Sequence, residues 1–148
     1  MKRTSRALTL DSNVLIAALK EDEAYSQDCS EILQKVLEDF TLSEPTIIYQ
    51  EVCGTLSRRT GTDIANEAKR TLDLIIHPSN LANCDKNFCA KAYPLCFEYN
   101  IYAIDAIYLK VALDNNAVLV SLDKEDFIDR VTYKKPKIEA YHVSEFPY

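Results

Sequence analysis

The chain of 148 residues contains two glycines, two histidines, one methionine and no tryptophan. Gly54 and Gly61 fit neither G-x-x-x-x-G-K nor G-x-G-x-x-G, so neither familiar phosphate-cradling loop is present. That argues against a nucleotide kinase and against a dinucleotide-dependent oxidoreductase. His77 and His142 lie far apart in sequence, leaving no H-E-x-x-H zinc pair and little material for histidine-centred general-base chemistry. The five cysteines, Cys29, Cys53, Cys84, Cys89 and Cys96, are odd in number and form no C-x-x-C pair. They read as reduced, mostly buried thiols of a cytosolic protein. No stretch reaches the apolar length of a membrane span, and the apolar run behind the basic Met1–Arg6 segment is cut by Asp11, too early for a signal-peptide core. A soluble, cytoplasmic protein with no membrane partner is expected. Positive charge is also in deficit, since 17 Lys and Arg against 23 Asp and Glu give a net charge of -6. This excludes a general nucleic-acid-coating role, which relies on neutralising many phosphates, but not a nuclease with a local basic patch. Any catalysis here runs on carboxylates.

What the chain does have is ordinary globular material, with 47% hydrophobic and 27% charged residues. Its length suits one domain, 1–148, burying about 70% of the surface its unfolded chain exposes. Ala7 to Leu10 reads as a buried strand ended by Asp11, with a helix from Asn13 to Leu19 behind it. Between Tyr25 and Phe40 the apolar residues Cys29, Ile32, Leu33, Val36, Leu37 and Phe40 recur every three or four positions, the stripe of an amphipathic helix. Phe40–Ser43 reads as a second strand, and Pro45 suits the first turn of a helix carrying Ile47, Ile48, Glu51, Val52 and Leu56. Further helices are expected over 62–74, from Asp85 onward and over 103–113, with a short strand near Leu81. Val118–Leu122 is a strong buried strand closed by Asp123, followed by a short helix over 124–130 and a last strand over 138–143. Strands separated by helices demand crossovers, hence an α/β fold with a mostly parallel sheet covered on both faces. In such sheets ligands bind beyond the carboxyl ends of the strands, where Asp11 and Asp123 stand.

Asp105 is the most informative residue. It occupies the same helical face as Ile101, Tyr108, Leu109 and Ala112, and a carboxylate on an apolar stripe has to be paired, protonated or bound to a cation. Glu51 repeats the anomaly beside Ile47, Ile48 and Val52. The plain alternatives are helix capping for Asp11 and Asp123, a buried cationic partner for Asp105, and pairing with Arg58 or Arg59 for Glu51. If the four acids converge instead, their repulsion is best offset by a hard divalent cation, Mg²⁺ or Mn²⁺, and such a site suits hydrolysis of a phosphodiester.

The runs Leu10-Asp11-Ser12-Asn13-Val14-Leu15-Ile16, Ile47-Ile48-Tyr49-Gln50-Glu51-Val52, Ile104-Asp105-Ala106-Ile107-Tyr108-Leu109 and Val120-Ser121-Leu122-Asp123-Lys124-Glu125-Asp126-Phe127 resemble the ordered motifs of the PIN-domain nucleases, most closely the VapC-type toxin ribonucleases. The resemblance covers nearly the whole chain and implies a three-layer α/β/α single domain. It implies that Asp11, Glu51, Asp105 and Asp123 bind Mg²⁺ or Mn²⁺ and cleave RNA, with Asn13 and Ser121 as hydrogen-bonding supports and Asp126 as a fifth acid nearby. Ser12 stands where many members have Thr and keeps the hydroxyl. Family members of this type pair as homodimers and are held inactive by a small antitoxin. The expected function is a metal-dependent endoribonuclease, the toxin of a toxin–antitoxin pair; the alternative is a catalytically silent PIN-like module that binds RNA or protein. A carboxylate-metal phosphatase is disfavoured because Asn13 breaks the D-x-D start of one common class. For the RNA path, Arg130, Lys134, Lys135 and Lys137 form an unopposed basic stretch, with Arg58 and Arg59 as second candidates. Tyr102 and Tyr108 flank Asp105; base stacking is conceivable for both, with core packing the simpler use.

Overall fold

β1 (Arg6–Leu10) buries Leu8, Thr9 and Leu10 in succession, so both of its faces are covered, as a central parallel strand requires. The structure, a computed structural model, describes residues 5–148; Met1 to Thr4, the start of the basic N-terminal segment, lie outside the described residues. α1 (Ser12–Leu19) follows at once, then α2 (Ser26–Glu38) and β2 (Phe40–Leu42). β5 (Val118–Ser121) is buried at every position, and β6 (Ala140–His142) closes the sheet. The order is β2-β1-β5-β6 and every pair is parallel, with Leu8 opposite Leu42 and Val118, and Leu10 opposite Val120. Helices flank this sheet, giving the expected α/β/α layering.

Between β2 and β5 the chain forms β3 (Glu44–Pro45), α3 (Ile47–Thr60), α4 (Thr62–Ile75), β4 (Leu81–Ala82), α5 (Lys86–Ala92), α6 (Pro94–Tyr99) and α7 (Ala103–Asn115). β3 and β4 make a separate two-residue parallel ladder, extended by Thr46 N–H donating to Ala82 O at 2.9 Å and Cys84 N–H donating to Thr46 Oγ1 at 3.3 Å. α3 and α4 pack together as a hairpin, turned by Gly61 at φ 95°, a left-handed conformation that suits glycine. α7 packs on β1 and β5, and α1 contacts both strands as well. Phe146 and Tyr148 bring their rings within 5.9 Å of Phe40, covering the edge strand β2.

Several boundaries differ from the expectations. Pro45 lies in β3 and not in the first turn of a helix: Glu44 pairs with Leu81 first, so α3 begins two residues later. Phe40 belongs to β2, and Leu37 is exposed, so the buried stripe of α2 is Cys29, Ile32 and Val36. Pro94 opens a second helix, since its missing N–H is harmless in a first turn. After Asp123 the chain makes a wide π-type turn over Lys124–Ile128 before α8 (Asp129–Tyr133). Asp85 does cap α5, accepting from Phe88 N–H at 2.9 Å. Among the cysteines, all free, only Cys29 is buried; the other four are half-buried because they lie on the rims of their helices and loops, which corrects the mostly buried expectation. Among the described residues no helix is long and apolar enough to cross a membrane.

Candidate functional site

The carboxyl ends of β1 and β5 lie side by side because Asp11 N–H donates to Val120 O at 2.9 Å, continuing the ladder one residue past β1. Asp11 therefore emerges beside Ser121, and it is only 5% exposed. It precedes α1 but makes no side-chain cap; instead its Oδ2 accepts from the Ser121 hydroxyl at 2.8 Å and from Asn13 Nδ2 at 3.3 Å. Asn13 in turn accepts Leu122 N–H at 3.1 Å, and the Ser121 oxygen accepts Asp123 N–H at 3.0 Å. One serine and one asparagine thus tie Asp11 to the chain that carries Asp123. Asp123 itself caps the wide turn, accepting Asp126 N–H at 3.1 Å, so its capping role is real and leaves its other oxygen outside that bond.

Glu51 projects from α3 and accepts the Tyr108 hydroxyl at 2.7 Å. Neither arginine suggested as its partner is there; Arg59 pairs with Glu23 at 3.2 Å. Asp105 is half-buried in the first turn of α7. Burial first, then Asp123, Glu51 and Asp126, push its carboxyl up to about 6. Burial pushes Asp11 up to about 7, against the Ser121 hydrogen bond and with help from Asp105 and Glu51. Asp105 thus lies within electrostatic reach of the other three acids expected from the sequence, and Asp11 within reach of Asp105 and Glu51, at the carboxyl edge of the sheet. Among the described residues no Lys or Arg makes an ion pair with any of them.

Two neighbours were not singled out by their sequence context. Glu44, in β3, is fully buried; one oxygen accepts Leu10 N–H at 2.7 Å while Oε2 has no partner. Burial, with a contribution from Asp11, raises its carboxyl well above the usual range, favouring the neutral form. The sequence signal was an acid placed directly after a buried strand. Tyr108 is fully buried, and burial together with Glu44, Glu51 and Asp11 pushes its phenol far up, so it stays a donor to Glu51. Its place on the Asp105 face, one turn on, was visible in the sequence, and it is core with a polar tip. Tyr102 departs from the core expectation: it precedes α7 and is 64% exposed.

The basic stretch is not unopposed. Arg130 reaches Asp126 at 2.9 Å, a helical i,i+4 pair, and also donates to Asn100 O at 2.7 Å. Lys134, Lys135 and Lys137 are exposed. The two histidines are accounted for locally, each ring nitrogen accepting a backbone N–H two residues on, Ser79 for His77 and Ser144 for His142.

The donor set suits a hard cation: carboxylates only, two of them shifted upward by burial and one another, with no cationic side chain to balance them. Among the described residues no three such side chains are gathered closely enough to enclose an ion as they stand. An ion would have to draw Glu51, Asp105 and Asp123, all half-buried, toward the fixed Asp11.

Comparison with known proteins bears on the family and the fold. A family model described as PIN domain matches residues 8–132. No curated protein matches the chain in sequence. Among solved structures, the chain is similar to VapC20 of Mycobacterium tuberculosis, described as a sarcin-ricin loop cleaving toxin. That match is 12% identical over 80% of this chain and 91% of that one, with a TM-score of 0.67. It is also similar to VapBC2 from Rickettsia felis bound to a promoter DNA fragment, at 12% identity over 92% and 98%, TM-score 0.63. A toxin–antitoxin complex from Klebsiella pneumoniae matches at 19% identity over 80% and 88%, TM-score 0.60. At these identities the likeness is one of fold.

Proposed function

The chain belongs to the PIN-domain family, and from that premise we propose that it is a cytoplasmic, metal-dependent endoribonuclease, the toxin of a toxin–antitoxin pair. The observation that carries the reading is the unbalanced cluster: Glu51 and Asp123 bear on Asp105, and Asp105 and Glu51 on Asp11, at the carboxyl edge of a parallel sheet, with no Lys or Arg paired to the four acids among the described residues. Repelling acids are retained at such cost where a shared cation offsets it. The four carboxylates would hold Mg²⁺ or Mn²⁺, which when bound stabilises charge developing on a phosphodiester and lowers the pKa of water.

The chain's own residues do the rest. Ser121 and Asn13 fix the Asp11 carboxylate by two donated hydrogen bonds, so it needs little reorganisation to act as a ligand. Tyr108 orients Glu51 from the buried side, leaving its second oxygen outside that bond. Asp126, whose charge reaches Asp105, pairs with Arg130 at 2.9 Å and so fixes one guanidinium on the wall next to the cluster, where it can meet a phosphate without balancing the four acids themselves. The antitoxin partner is supported by the complexes that share the fold; a homodimer is the expected assembly.

Cleavage of single-stranded RNA by the parent and by Asp105→Asn, each in Mn²⁺, Mg²⁺ and EDTA, tests the reading. The parent should cut only with metal, and the variant should lose at least 100-fold, on the order expected when a transition-state charge stabiliser is removed. Equal cleavage by both proteins would refute the assignment of Asp105.

A further inference from the structure

α6 and α8 leave a groove of about 420 Å³ lined by Phe97, Tyr99, Asn100, Arg130, Tyr133 and Lys134. Its size falls in the range of sites that hold small ring systems. Tyr99 is its buried floor, whereas Phe97 is 95% exposed and Tyr133 82% exposed. These two rings are more exposed than any other aromatic among the described residues, and beside the groove they offer flat apolar faces to an occupant.

The groove adjoins the acids. Arg130, in its wall, holds Asp126, which lies in the field of Asp105. Asn100, at the end of α6, is five residues before Asp105, and the exposed Tyr102 stands between them. The charged lining is even in sign, Arg130 and Lys134 against Glu98 and Asp129, and the positive excess comes from Lys135 and Lys137 beside it. Lys134 has no ion pair among the described residues, Lys135 and Lys137 lie just beyond it, and Asp129 on the rim is partly balanced by Lys124 at 3.5 Å. Glu98 is the one rim acid without a partner in that set.

We propose that this groove binds unpaired nucleobases of a single-stranded RNA, stacked on Phe97 and Tyr133, while Lys134 meets the backbone that leads past Tyr102 to the carboxylates. Flat rings beside a cationic rail form the combination that takes single strands and rejects duplexes, whose bases are already stacked on one another. The proposal rests on the ribonuclease reading and adds to it a subsite: where the bases flanking the cut lie, and why the substrate must be unpaired there.

The test is binding of the full chain, in EDTA so that nothing is cut, to a short labelled single-stranded RNA, to an abasic strand of equal length and to the same sequence as a duplex. Phe97→Ala and Tyr133→Ala are compared with the parent, and Phe97→Tyr serves as the conservative control. Each alanine should weaken single-strand binding on the order of 10-fold and leave abasic and duplex binding unchanged; Phe97→Tyr should bind like the parent. Melting temperatures should stay the same, since both rings are outside the core. Unchanged single-strand affinity in both alanine variants overturns the proposal, as does an equal loss on the abasic strand. Loss of self-association with RNA binding intact also overturns it, assigning the face to a second copy. Cleavage in Mn²⁺ separates the two readings: a parent that cuts while the rings do not matter keeps the nuclease and loses the groove, and a parent that binds through the rings without cutting does the reverse.

Discussion

Replacing Asp11 by Asn is expected to stabilise the metal-free protein, the opposite of what buried polar substitutions usually do. The carboxyl is pushed up to about 7 in the folded chain, against an ordinary value of about 3.9 when unfolded. The folded molecule therefore keeps a proton that the unfolded chain releases. Between about pH 4 and pH 7 stability falls as pH rises, and above both values the full difference, about 4 kcal/mol, weighs against folding. Asparagine has no proton to lose. Its carbonyl can take the place of Oδ2 and accept from Ser121 and Asn13, leaving the packing nearly as it was. Relaxation and an imperfect amide fit reduce the gain to on the order of 2 kcal/mol, or about 4–8 °C in Tm for a domain of this size. At about pH 5 the folded carboxyl is still protonated and only about a third of the difference has developed, so the gap between variant and parent should shrink accordingly. Thermal melts in EDTA at the two pH values read this directly. Saturating Mn²⁺ should raise the parent's Tm and barely move the variant's. A variant less stable than the parent at high pH, or a gap that ignores pH, would show that Asp11 is ionised and fully compensated by its hydrogen bonds, and the argument for a charge-strained site would fall.

Two further substitutions probe the support around the acids. Tyr108→Phe removes a buried donor to a carboxylate and should cost about 1.5–3 kcal/mol in urea unfolding while lowering RNA cleavage; an unchanged midpoint would mean that water replaces the phenol. Glu44→Gln keeps an acceptor for Leu10 N–H and matches the neutral form that burial favours, so its unfolding free energy should stay within about 0.5 kcal/mol of the parent. A loss above about 2 kcal/mol would show that Glu44 works as an anion.

Much of this was legible in the chain. The alternation of buried strands with helical stripes was enough to read a parallel sheet, because Leu8–Leu10 and Val118–Ser121 are buried on both faces and nothing but crossovers joins such strands. Asp105 stood out because an acid on the Tyr108 and Leu109 face of a helix demands a reason. Pro45 misled, since local propensity favours a helix start while a two-residue pairing with Leu81 and Ala82, far off in sequence, decides the backbone. Glu44 was hidden for the same cause: its burial comes from that pairing and from Leu10, neither of which is a neighbour in the chain. The ion-pair partner of Arg130 was legible after all, since Asp126 stands four residues before it in the helix expected over 124–130, whereas its contact with Asn100 O is non-local. The wide turn followed by α8 brings Asp126 and Asn100 to it together.

The short ladder of β3 and β4 has a dynamic consequence. It joins the α3–α4 hairpin to the body of the domain through four paired residues and the bonds around Thr46, beside the packing of α3 on α1 and of β3 on α7. Three of the four acids ride on the sheet edge and α7, whereas Glu51 rides on the hairpin, and the Tyr108 hydroxyl spans the seam between them. A sub-global opening of the hairpin is cheaper than loss of the sheet, so amides of Thr46 and Cys84 should exchange with solvent well before those of Asp11 and Leu119, which donate to Val120 O and Glu139 O. Each such opening removes Glu51 from the cluster and returns it on closure. Assembly of the carboxylates and closure of the seam are thus one event: whatever grips all four acids holds the hairpin shut, and whatever prises α3 from α1 and Glu51 from Tyr108 dismantles the cluster while the sheet stays folded.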